Sequence, residues 1–237
     1  MIANTHSAAR NNNGDNHSAA LAAIRSVYAV WGKHPRLYAA QDAITFLGRA
    51  SEIRRQAVEA TGVARGGRLL EVGCGTGRNF PYIQELLGPE GRLVGFDSTE
   101  EMLSSAAELV RREGWSNVEL IQGDATELDV GSESFDGVLC ALAMSVMPDQ
   151  IAVIRRCKEV LRPGGIFSVV DARPFTRGPR FLNPLVRAVY TPTTAWRPDA
   201  DIPGAMREVF GDVRVETFNY GTFFIATSRK DDADDTR

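Results

Sequence analysis

The strongest constraint on this chain is a regular alternation of short apolar runs with longer amphipathic segments. "RLLEVG", "RLVGFD" and "IFSVVD" have the length of strands, whereas "TEEMLSSAAELVRREG" and "DQIAVIRRCKEVL" have apolar residues at helical spacing. Strands joined by helices of this length need right-handed crossovers, and these produce a mostly parallel sheet. We therefore predict an α/β fold with helices on both faces of one sheet.

The last two strand-like runs predict a departure from the parallel pattern. "DVRVETFN" and "TFFIATS" have only "YG" between them, which is too short for a helical crossover. A connection of this length indicates a hairpin, so the last strand is expected to run antiparallel to its neighbour. Two more runs, "VELIQGD" and "FDGVLCALA", also have the length of strands, so the sheet is predicted to have seven strands.

The rest of the chain divides into one domain with two polar ends. We predict a disordered, Asn-rich arm over residues 1–17, a single domain over 18–228 and a disordered charged tail over 229–237. Within the domain, cap helices are expected over 18–62 and a Pro- and Arg-rich insertion over 172–200. The three cysteines have neither disulfide nor metal spacing, and no signal peptide is recognisable, so we expect reduced thiols, no metal and a cytoplasmic location.

A glycine-rich turn, "GCGTG", follows the first strand. A dinucleotide-binding turn would read G-x-G-x-x-G, with a pyrophosphate over the next helix. Here the spacing is G-x-G-x-G, and Glu71 lies two residues before the first glycine. A carboxylate at that place would repel a pyrophosphate, whereas it would be compatible with a cationic ligand.

Two further carboxylates follow the second and third strands. Asp97 ends "RLVGFD", where a carboxylate can hold both hydroxyls of a ribose; it also fits a helix start. Asp124 in "GDATEL" can accept from an exocyclic amine, while the backbone of Ala125 can pair with a ring nitrogen; a plain surface turn is the alternative. Met102 could flank the base, although its spacing also suits a core residue.

Five segments between Leu69 and about Asp171 resemble, in order, the motifs of class I S-adenosylmethionine-dependent methyltransferases. They are "LLEVGCGTG", "LVGFDSTEEML", "GDATEL", "FDGVLCALAMSVMPD" and "LRPGGIFSVVD". The resemblance implies a Rossmann-like sheet, S-adenosylmethionine as cofactor and S-adenosylhomocysteine as product. It also implies that the glycines hold the methionine part, that Asp97 holds the ribose and that Asp124 with Ala125 holds the adenine. The candidate cofactor residues are Glu71, Gly73, Cys74, Gly75, Gly77, Asn79, Asp97, Ser98, Met102, Asp124, Ala125, Thr126, Cys140 and Ala141.

The sequence excludes some methyl acceptors. The fourth-strand motif is "CALAMSVM" and not Asn/Asp-Pro-Pro-aromatic, and a net charge of −3 comes with no basic domain, so nucleic acid is not expected. Ser145 stands where many members of the family carry His or Arg. His34 is the one histidine outside the predicted arm, which leaves no pair of catalytic histidines.

Two regions are expected to build the acceptor site. In the first, "SVYAVWGKHPRLYAAQ", Tyr28, His34 and Tyr38 are the candidate catalytic residues, and the alternative is ordinary packing of a cap helix. The second is the insertion, whose residues 172–198 hold five arginines and no acidic residue. These arginines predict an anionic group on the acceptor or contact with an anionic membrane, unless they pair with acidic residues elsewhere. The candidate substrate-binding residues are Tyr28, Trp31, Ser145, Arg173, Arg177, Arg180, Tyr190 and Trp196.

The sequence therefore predicts an enzyme that methylates a small or amphipathic metabolite in line, with positioning as the main contribution of the protein. Two alternatives stay open: a phospholipid headgroup N-methyltransferase at the membrane surface, and a protein of this fold that binds the cofactor without methylating. A nicotinamide-dependent oxidoreductase is disfavoured by the glycine spacing and by Glu71. The sequence carries no signal for an oligomeric state.

Overall fold

A computed structural model describes residues 6–46, 48–131 and 134–232. Three helices precede the sheet, and the others lie between strands or just before the final hairpin. The helices are α1 His6–Lys33, α2 Pro35–Thr45, α3 Ala50–Glu59, α4 Phe80–Leu87, α5 Glu100–Glu113, α6 Gln150–Val160, α7 Asn183–Thr194 and α8 Ile202–Phe210. The strands are β1 Arg68–Val72, β2 Arg92–Asp97, β3 Val118–Gln122, β4 Phe135–Ala141, β5 Leu161–Ala172, β6 Arg214–Phe218 and β7 Phe223–Arg229.

These strands form one seven-stranded sheet in the order β3-β2-β1-β4-β5-β7-β6. The first five strands pair in parallel, whereas β7 pairs antiparallel with both β5 and β6. The predicted parallel sheet and its antiparallel last strand are confirmed. The strand order reverses between β1 and β4, and ligands of open α/β sheets bind at the carboxyl ends of the strands beside such a switch point.

Alternate residues of the central strands supply two hydrophobic cores, one on each face of the sheet. Leu70 and Val72 of β1 pack in the core formed with α6 and α8, whereas Leu69 packs in the core formed with α3 and α4. Successive side chains of a strand point to opposite faces, so a strand that is covered on both sides must be apolar throughout. The near-continuous burial of β1, β2 and β4 follows from this requirement.

Both predicted ends of the domain need correction. Helix α1 begins at His6, so the predicted disorder does not hold for residues 6–17; residues 1–5 lie outside the described residues. The helix packs along α5, where Ser105 Oγ donates to the carbonyl of Gly32 at 2.7 Å, and a Cβ at Gly32 would lie 2.6 Å from the backbone of Glu101. At the other end β7 includes Arg229, and Lys230 Nζ donates to the carbonyl of Leu161 at 2.8 Å; of the predicted tail, residues 233–237 lie outside the described part of the chain.

The insertion is more ordered than its composition suggests. A 3₁₀ turn over Arg180–Leu182 continues directly into α7, which has Pro184 in its first turn, where the missing amide proton of proline costs no hydrogen bond. Helix α7 lies against α1, because Tyr28 Oη donates to the carbonyl of Thr194 and Trp31 Nε1 to that of Thr193, both at 3.1 Å. These contacts place the insertion beside the carboxyl ends of the strands.

Candidate functional site

Two adjoining pockets lie at the carboxyl ends of the central strands. The first, here called the deep cleft, is lined by the turns that follow β1, β2, β3 and β4 and by α1. The second, called the aromatic pocket, lies between α1, α2 and α7 and the end of β5. Tyr28, Tyr38, Leu142 and Val146 line both, so the two pockets share one wall.

The glycine turn leaves open space at one of its three glycines. Gly73, Gly75 and Gly77 all have positive φ, at +72°, +55° and +77°. A Cβ at Gly73 would collide with Ala143, and one at Gly77 would lie 2.8 Å from the Phe80 ring. At Gly75 the nearest atom would be Met102 Sδ, at 3.9 Å. Gly75 therefore leaves room for a ligand to approach the backbone, whereas Gly73 and Gly77 serve close packing.

Asp97 ties this turn to the end of β2. Its Oδ2 accepts from the amide of Gly75 at 2.8 Å and its Oδ1 from the amide of Thr99 at 2.9 Å. Burial raises the pKa of Asp97, while these backbone hydrogen bonds oppose the rise. Asp97 also lines the deep cleft, and a carboxylate can accept more than one hydrogen bond at each oxygen. The side chain can therefore hold the turn and accept from a ligand hydroxyl.

Asp124 follows β3, lines the deep cleft and has a partner on α1. Its Oδ1 accepts from the amide of Thr126 at 2.9 Å, and its Oδ2 lies 2.7 Å from His17 Nε2. Burial opposes ionisation, yet the hydrogen bonds from His17 and Thr126 leave the pKa of Asp124 below its ordinary value. His17, assigned to the disordered arm from the sequence, is thus part of the cleft's surroundings.

Glu71 does not line the deep cleft. It is fully buried behind Asn79, whose Nδ2 donates to Glu71 Oε1, and Arg54 Nη1 donates to Asn79 Oδ1 at 2.8 Å. Among the described residues, Glu71 Oε2 has no hydrogen-bond partner. Burial raises the pKa of Glu71 to about 8, against the opposing effects of Asn79 and Arg54. Of the three hydrogen-bonded residues Glu71, Asn79 and Arg54, only Asn79 and Arg54 line the cleft.

Arg54 was not among the predicted residues, although the sequence carries a signal for it. It lies on the apolar face of α3, with Ile53, Ala57 and Val58, and is 4% exposed. An arginine at the spacing of a buried helix face requires partners. That spacing marks it as a candidate for a site.

Most of the predicted cofactor residues come together in the deep cleft. Cys140 was expected to contribute its backbone; its side chain packs in the core of α6 and α8, and Cys140, Glu71 and Gly77 do not line the cleft. The eleven predicted residues that line it are Gly73, Cys74, Gly75, Asn79, Asp97, Ser98, Met102, Asp124, Ala125, Thr126 and Ala141.

The aromatic pocket combines a largely aromatic and aliphatic wall with polar side chains, among them a hydrogen-bonded pair. Its aromatic lining consists of Tyr28, Tyr38, Phe175, Tyr190, Trp196 and Phe223. Trp196 is buried, donates from Nε1 to the carbonyl of Ala172 at 3.1 Å and meets the Tyr190 ring edge-on. Such walls suit a ligand with an apolar body.

The hydrogen-bonded pair consists of Ser145 and Asp171, and the other polar lining residues are Gln41, Thr45, Arg173, Thr194 and Thr222. Ser145 lies in a 3₁₀ turn after β4, and its Oγ donates to Asp171 Oδ1 at 2.7 Å while its amide donates to Oδ2 at 2.8 Å. Burial raises the pKa of Asp171 to about 6, although these hydrogen bonds oppose the rise. Leu142, which precedes this turn, has φ +57°, a conformation that costs of order 1–3 kcal/mol and is often found at functional sites. Asp171 was not predicted as a site residue.

Several predicted acceptor residues lie elsewhere. His34 is exposed at the junction of α1 and α2, outside both pockets, so it does not fit the catalytic role proposed from the sequence. Trp31 is held by α7 beside the Tyr38 ring and does not line either pocket. Arg177 and Arg180 are exposed on the surface of the insertion. Arg173 does line the aromatic pocket, where Nε donates to the carbonyl of Gly221 and the guanidinium covers the Phe224 ring.

Comparison with known proteins agrees with this geometry. A family model described as "Methyltransferase domain" matches residues 64–220, which include the glycine turn, Asp97, Asp124 and the Ser145–Asp171 pair. The chain is a class I S-adenosylmethionine-dependent methyltransferase.

Three relatives illustrate the breadth of this methyltransferase's resemblances. A demethylmenaquinone methyltransferase from Listeria welshimeri is 36% identical over 118 residues, 50% of each chain. A phosphatidylethanolamine N-methyltransferase from Cereibacter sphaeroides is 35% identical over 170 residues, 71% of this chain and 80% of its own. The crystal structure of a SAM-dependent methyltransferase from Aquifex aeolicus superposes with a TM-score of 0.58 at 18% identity, covering 75% and 89% of the two chains. The chain spans about half the length of the demethylmenaquinone methyltransferases that it matches.

The deep cleft of this methyltransferase fits S-adenosylmethionine. The open space at Gly75 allows close approach of a ligand, and Asp97 and Asp124, at the ends of the adjacent strands β2 and β3, offer acceptors for hydroxyl and amine donors. Arg54 and Asn79 offer groups for an amino-acid carboxylate. The cleft therefore offers two carboxylate acceptors, Asp97 and Asp124, and one cation, Arg54. A phosphate-free nucleoside with an amino-acid tail requires groups of these kinds.

The described residues contain neither a metal-ion cluster nor a membrane-spanning helix. Within residues 6–46, 48–131 and 134–232, no group of three or more His, Cys, Asp or Glu is arranged to hold a metal ion. In the same ranges, no helix combines the length and the apolar character needed to cross a membrane.

Proposed function

We propose that this methyltransferase acts on a small amphipathic molecule with an apolar body and one hydroxyl or amine group, which binds in the aromatic pocket. The observation that carries this proposal is the Ser145–Asp171 pair, a buried hydrogen-bonded serine and carboxylate beside the wall shared with the deep cleft, in a pocket that also has six aromatic lining residues. An apolar body would be held by the aromatic rings, and its polar group would face Ser145.

The cofactor, when bound, supplies an electrophilic methyl group on a sulfonium. Tyr28, Tyr38 and Val146 belong to the shared wall and orient the acceptor toward the deep cleft, since both pockets border them. Apolar walls on the acceptor side also exclude water. Positioning of this kind can supply roughly 7–11 kcal/mol of the barrier.

Ser145 and Asp171 are arranged to take the acceptor's proton. Ser145 Oγ already donates to Asp171 Oδ1, so its oxygen is left to accept from the acceptor's O–H or N–H. As the acceptor attacks the methyl group, its proton passes to Ser145 Oγ and the serine proton passes to Asp171. Because Asp171 has a pKa of about 6, it is mostly ionised at neutral pH and is poised as a base.

This role is tested by the formation of S-adenosylhomocysteine with two acceptor classes: hydroquinones or phenols with an alkyl tail, and phosphatidylethanolamine in micelles. Asp171→Asn and Ser145→Ala are expected to lower kcat by about 10²–10⁴. Wild-type kcat/KM should rise as pH increases through about 6 and then level off, because the base must be deprotonated; the asparagine variant should lose this rise.

Ser168→Ala is the matched control, because Ser168 is also buried and donates to a carbonyl, that of Ala57, outside both pockets. It should keep wild-type kcat. Retained cofactor binding with no product from either acceptor class would contradict the proposal and favour a role without methyl transfer. Wild-type kcat in Ser145→Ala would contradict the proton path.

A phospholipid headgroup amine is the second candidate acceptor. The 35% sequence identity to a phosphatidylethanolamine N-methyltransferase, over 71% of the chain, favours this acceptor. An ionised Asp171 would also suit an ammonium group. The two acceptor classes compete in the same pocket, so the ratio of their kcat/KM values decides between them.

A further inference from the structure

Helix α7 and the turn before it expose a stripe of large apolar side chains. Phe181, Leu185 and Val189 follow one another at intervals of four residues and are 82%, 62% and 50% exposed, and Leu182 borders them. Residues four apart on a helix lie on the same face. The exposed side chains therefore form one continuous apolar line, of the kind that marks an interaction site.

Cationic and aromatic residues adjoin the start of this stripe. Arg177 and Arg180 are exposed just before Phe181, and residues 172–198 contain no Asp or Glu. Tyr220 is 62% exposed and packs there, since the amide of Arg177 donates to its carbonyl and a Cβ at Gly178 would lie 3.0 Å from its ring. Phe181, Leu185, Val189, Arg177, Arg180 and Tyr220 are together called the docking face.

The docking face adjoins the aromatic pocket through the same helix. Val186, Tyr190 and Thr194, also four apart, line the pocket. Val186 directly follows Leu185, and Tyr190 directly follows Val189. One residue corresponds to a rotation of about 100° around the helix. A molecule held at the exposed stripe would thus reach the pocket by passing around one helix.

We propose that the docking face binds an anionic lipid bilayer, with the apolar stripe in the boundary between headgroups and acyl chains and the two arginines on lipid phosphates. This inference deepens the proposed function and rests on it for one consequence: a lipophilic acceptor would enter the aromatic pocket from the bilayer. A second copy of the chain fits less well, because a two-fold interface through this face would bring Arg177 and Arg180 of each copy together.

The binding test uses the full chain and flotation with vesicles of phosphatidylcholine alone or with phosphatidylglycerol. Wild type should bind the anionic vesicles at least tenfold more tightly, and added salt should weaken this binding. Arg177→Ser/Arg180→Ser should lose about tenfold or more on anionic vesicles, and Phe181→Ser/Leu185→Ser should lose binding to both compositions.

Two matched controls carry the same chemical changes on other elements. Arg111→Ser/Arg112→Ser removes two exposed arginines from α5, and Val215→Ser removes an exposed apolar side chain from β6. Both should bind as wild type does. Equal binding of wild type to the two vesicle compositions, or unchanged binding of both docking-face variants, would overturn the proposal. A wild-type dimer in light scattering that Phe181→Ser/Leu185→Ser makes monomeric would also overturn it, in favour of contact between copies.

A turnover test separates the docking proposal from the proposed function. With a short-chain soluble acceptor, the docking-face variants should keep wild-type kcat/KM; with an acceptor embedded in vesicles they should lose about tenfold. Equal loss with both acceptors would overturn the delivery role. Vesicle binding without methylation of any acceptor would refute the proposed function while the docking face stands.

Discussion

Replacing Glu71 by glutamine tests the electrostatics behind the deep cleft. Burial moves the pKa of Glu71 from its ordinary value of 4.5 to about 8. Each pH unit of such a rise is worth about 1.4 kcal/mol, so the complete effect is about 5 kcal/mol. Because the pKa is higher in the folded chain than in the unfolded chain, the stabilisation by the bound proton is fully present below pH 4.5 and is lost as pH rises through about 8.

Glutamine stays neutral throughout this range and keeps an oxygen that can accept from Asn79 Nδ2. We therefore expect the free energy of unfolding of wild type, relative to Glu71→Gln, to fall by about 1.4 kcal/mol for each pH unit between pH 5 and 7.5. Urea unfolding at several pH values measures this difference, and equal m-values would show that both chains expose the same surface. Glu90→Gln, an exposed control before β2, should leave the slope unchanged.

Parallel curves for wild type and Glu71→Gln would refute this reasoning. They would mean that Glu71 is already ionised in the fold at pH 5, with Arg54 and Asn79 stabilising the charge. In that case removing Arg54 would expose an unpaired buried carboxylate, and Arg54→Met would be far more destabilising above pH 5 than below pH 4.

Three other predictions concern the cleft and the core. Asp97→Ala should weaken S-adenosylmethionine binding by about 1.5–3 kcal/mol in calorimetric titration, because the carboxylate accepts hydrogen bonds from the ligand and holds the Gly75 amide; wild-type affinity would contradict the ribose assignment. Gly75→Val should abolish binding in the same titration, since a β-branched residue at φ +55° is strained and would fill the open space. Phe167→Ala should lower the free energy of unfolding by about 3–5 kcal/mol in urea, because this fully buried ring packs against Phe210, and a smaller loss would show that the core collapses around the cavity.

The sheet could be predicted because its signals are local. "RLLEVG" and "RLVGFD" are apolar on both faces, and this pattern requires helices on both sides regardless of distant contacts. The residues at strand ends follow from the same logic: Gly75, Asp97 and Asp124 come directly after β1, at the end of β2 and just after β3, and the parallel order brings those ends together.

Residues whose role depends on distant partners could not be predicted in this way. Asp171 ends the predicted fifth strand, and nothing beside it in sequence shows that Ser145 lies across it on the turn after β4. His17 lies in an Asn-rich, weakly apolar segment, and its pairing with Asp124 spans 107 residues. Helix α7 is not recognisable from the sequence, because Pro184 at the helix start and Pro192 in its last turn suggest a loop.

The glycine turn also shows why the cleft suits a ligand without phosphates, and the reason differs from the one inferred from the sequence. Glu71 is buried behind Asn79 and holds a proton at neutral pH, so repulsion by its charge is weak. The backbone amides give a stronger reason. Those of Gly73 and Cys74 donate to the carbonyl of Phe96, that of Gly75 donates to Asp97, and that of Gly77 donates to the carbonyl of Cys74.

A pyrophosphate site needs free amides at such a turn. These four amides all donate within the protein, and that of Gly75, the glycine beside the open space, donates to a carboxylate. Hydrogen bonding at Gly75 therefore argues against a pyrophosphate at this glycine more strongly than the charge of Glu71 does. Asp97→Ala would free the Gly75 amide and remove a carboxylate from the turn. The variant should therefore bind S-adenosylmethionine more weakly, and it should not repel an anion at the turn more strongly than wild type does.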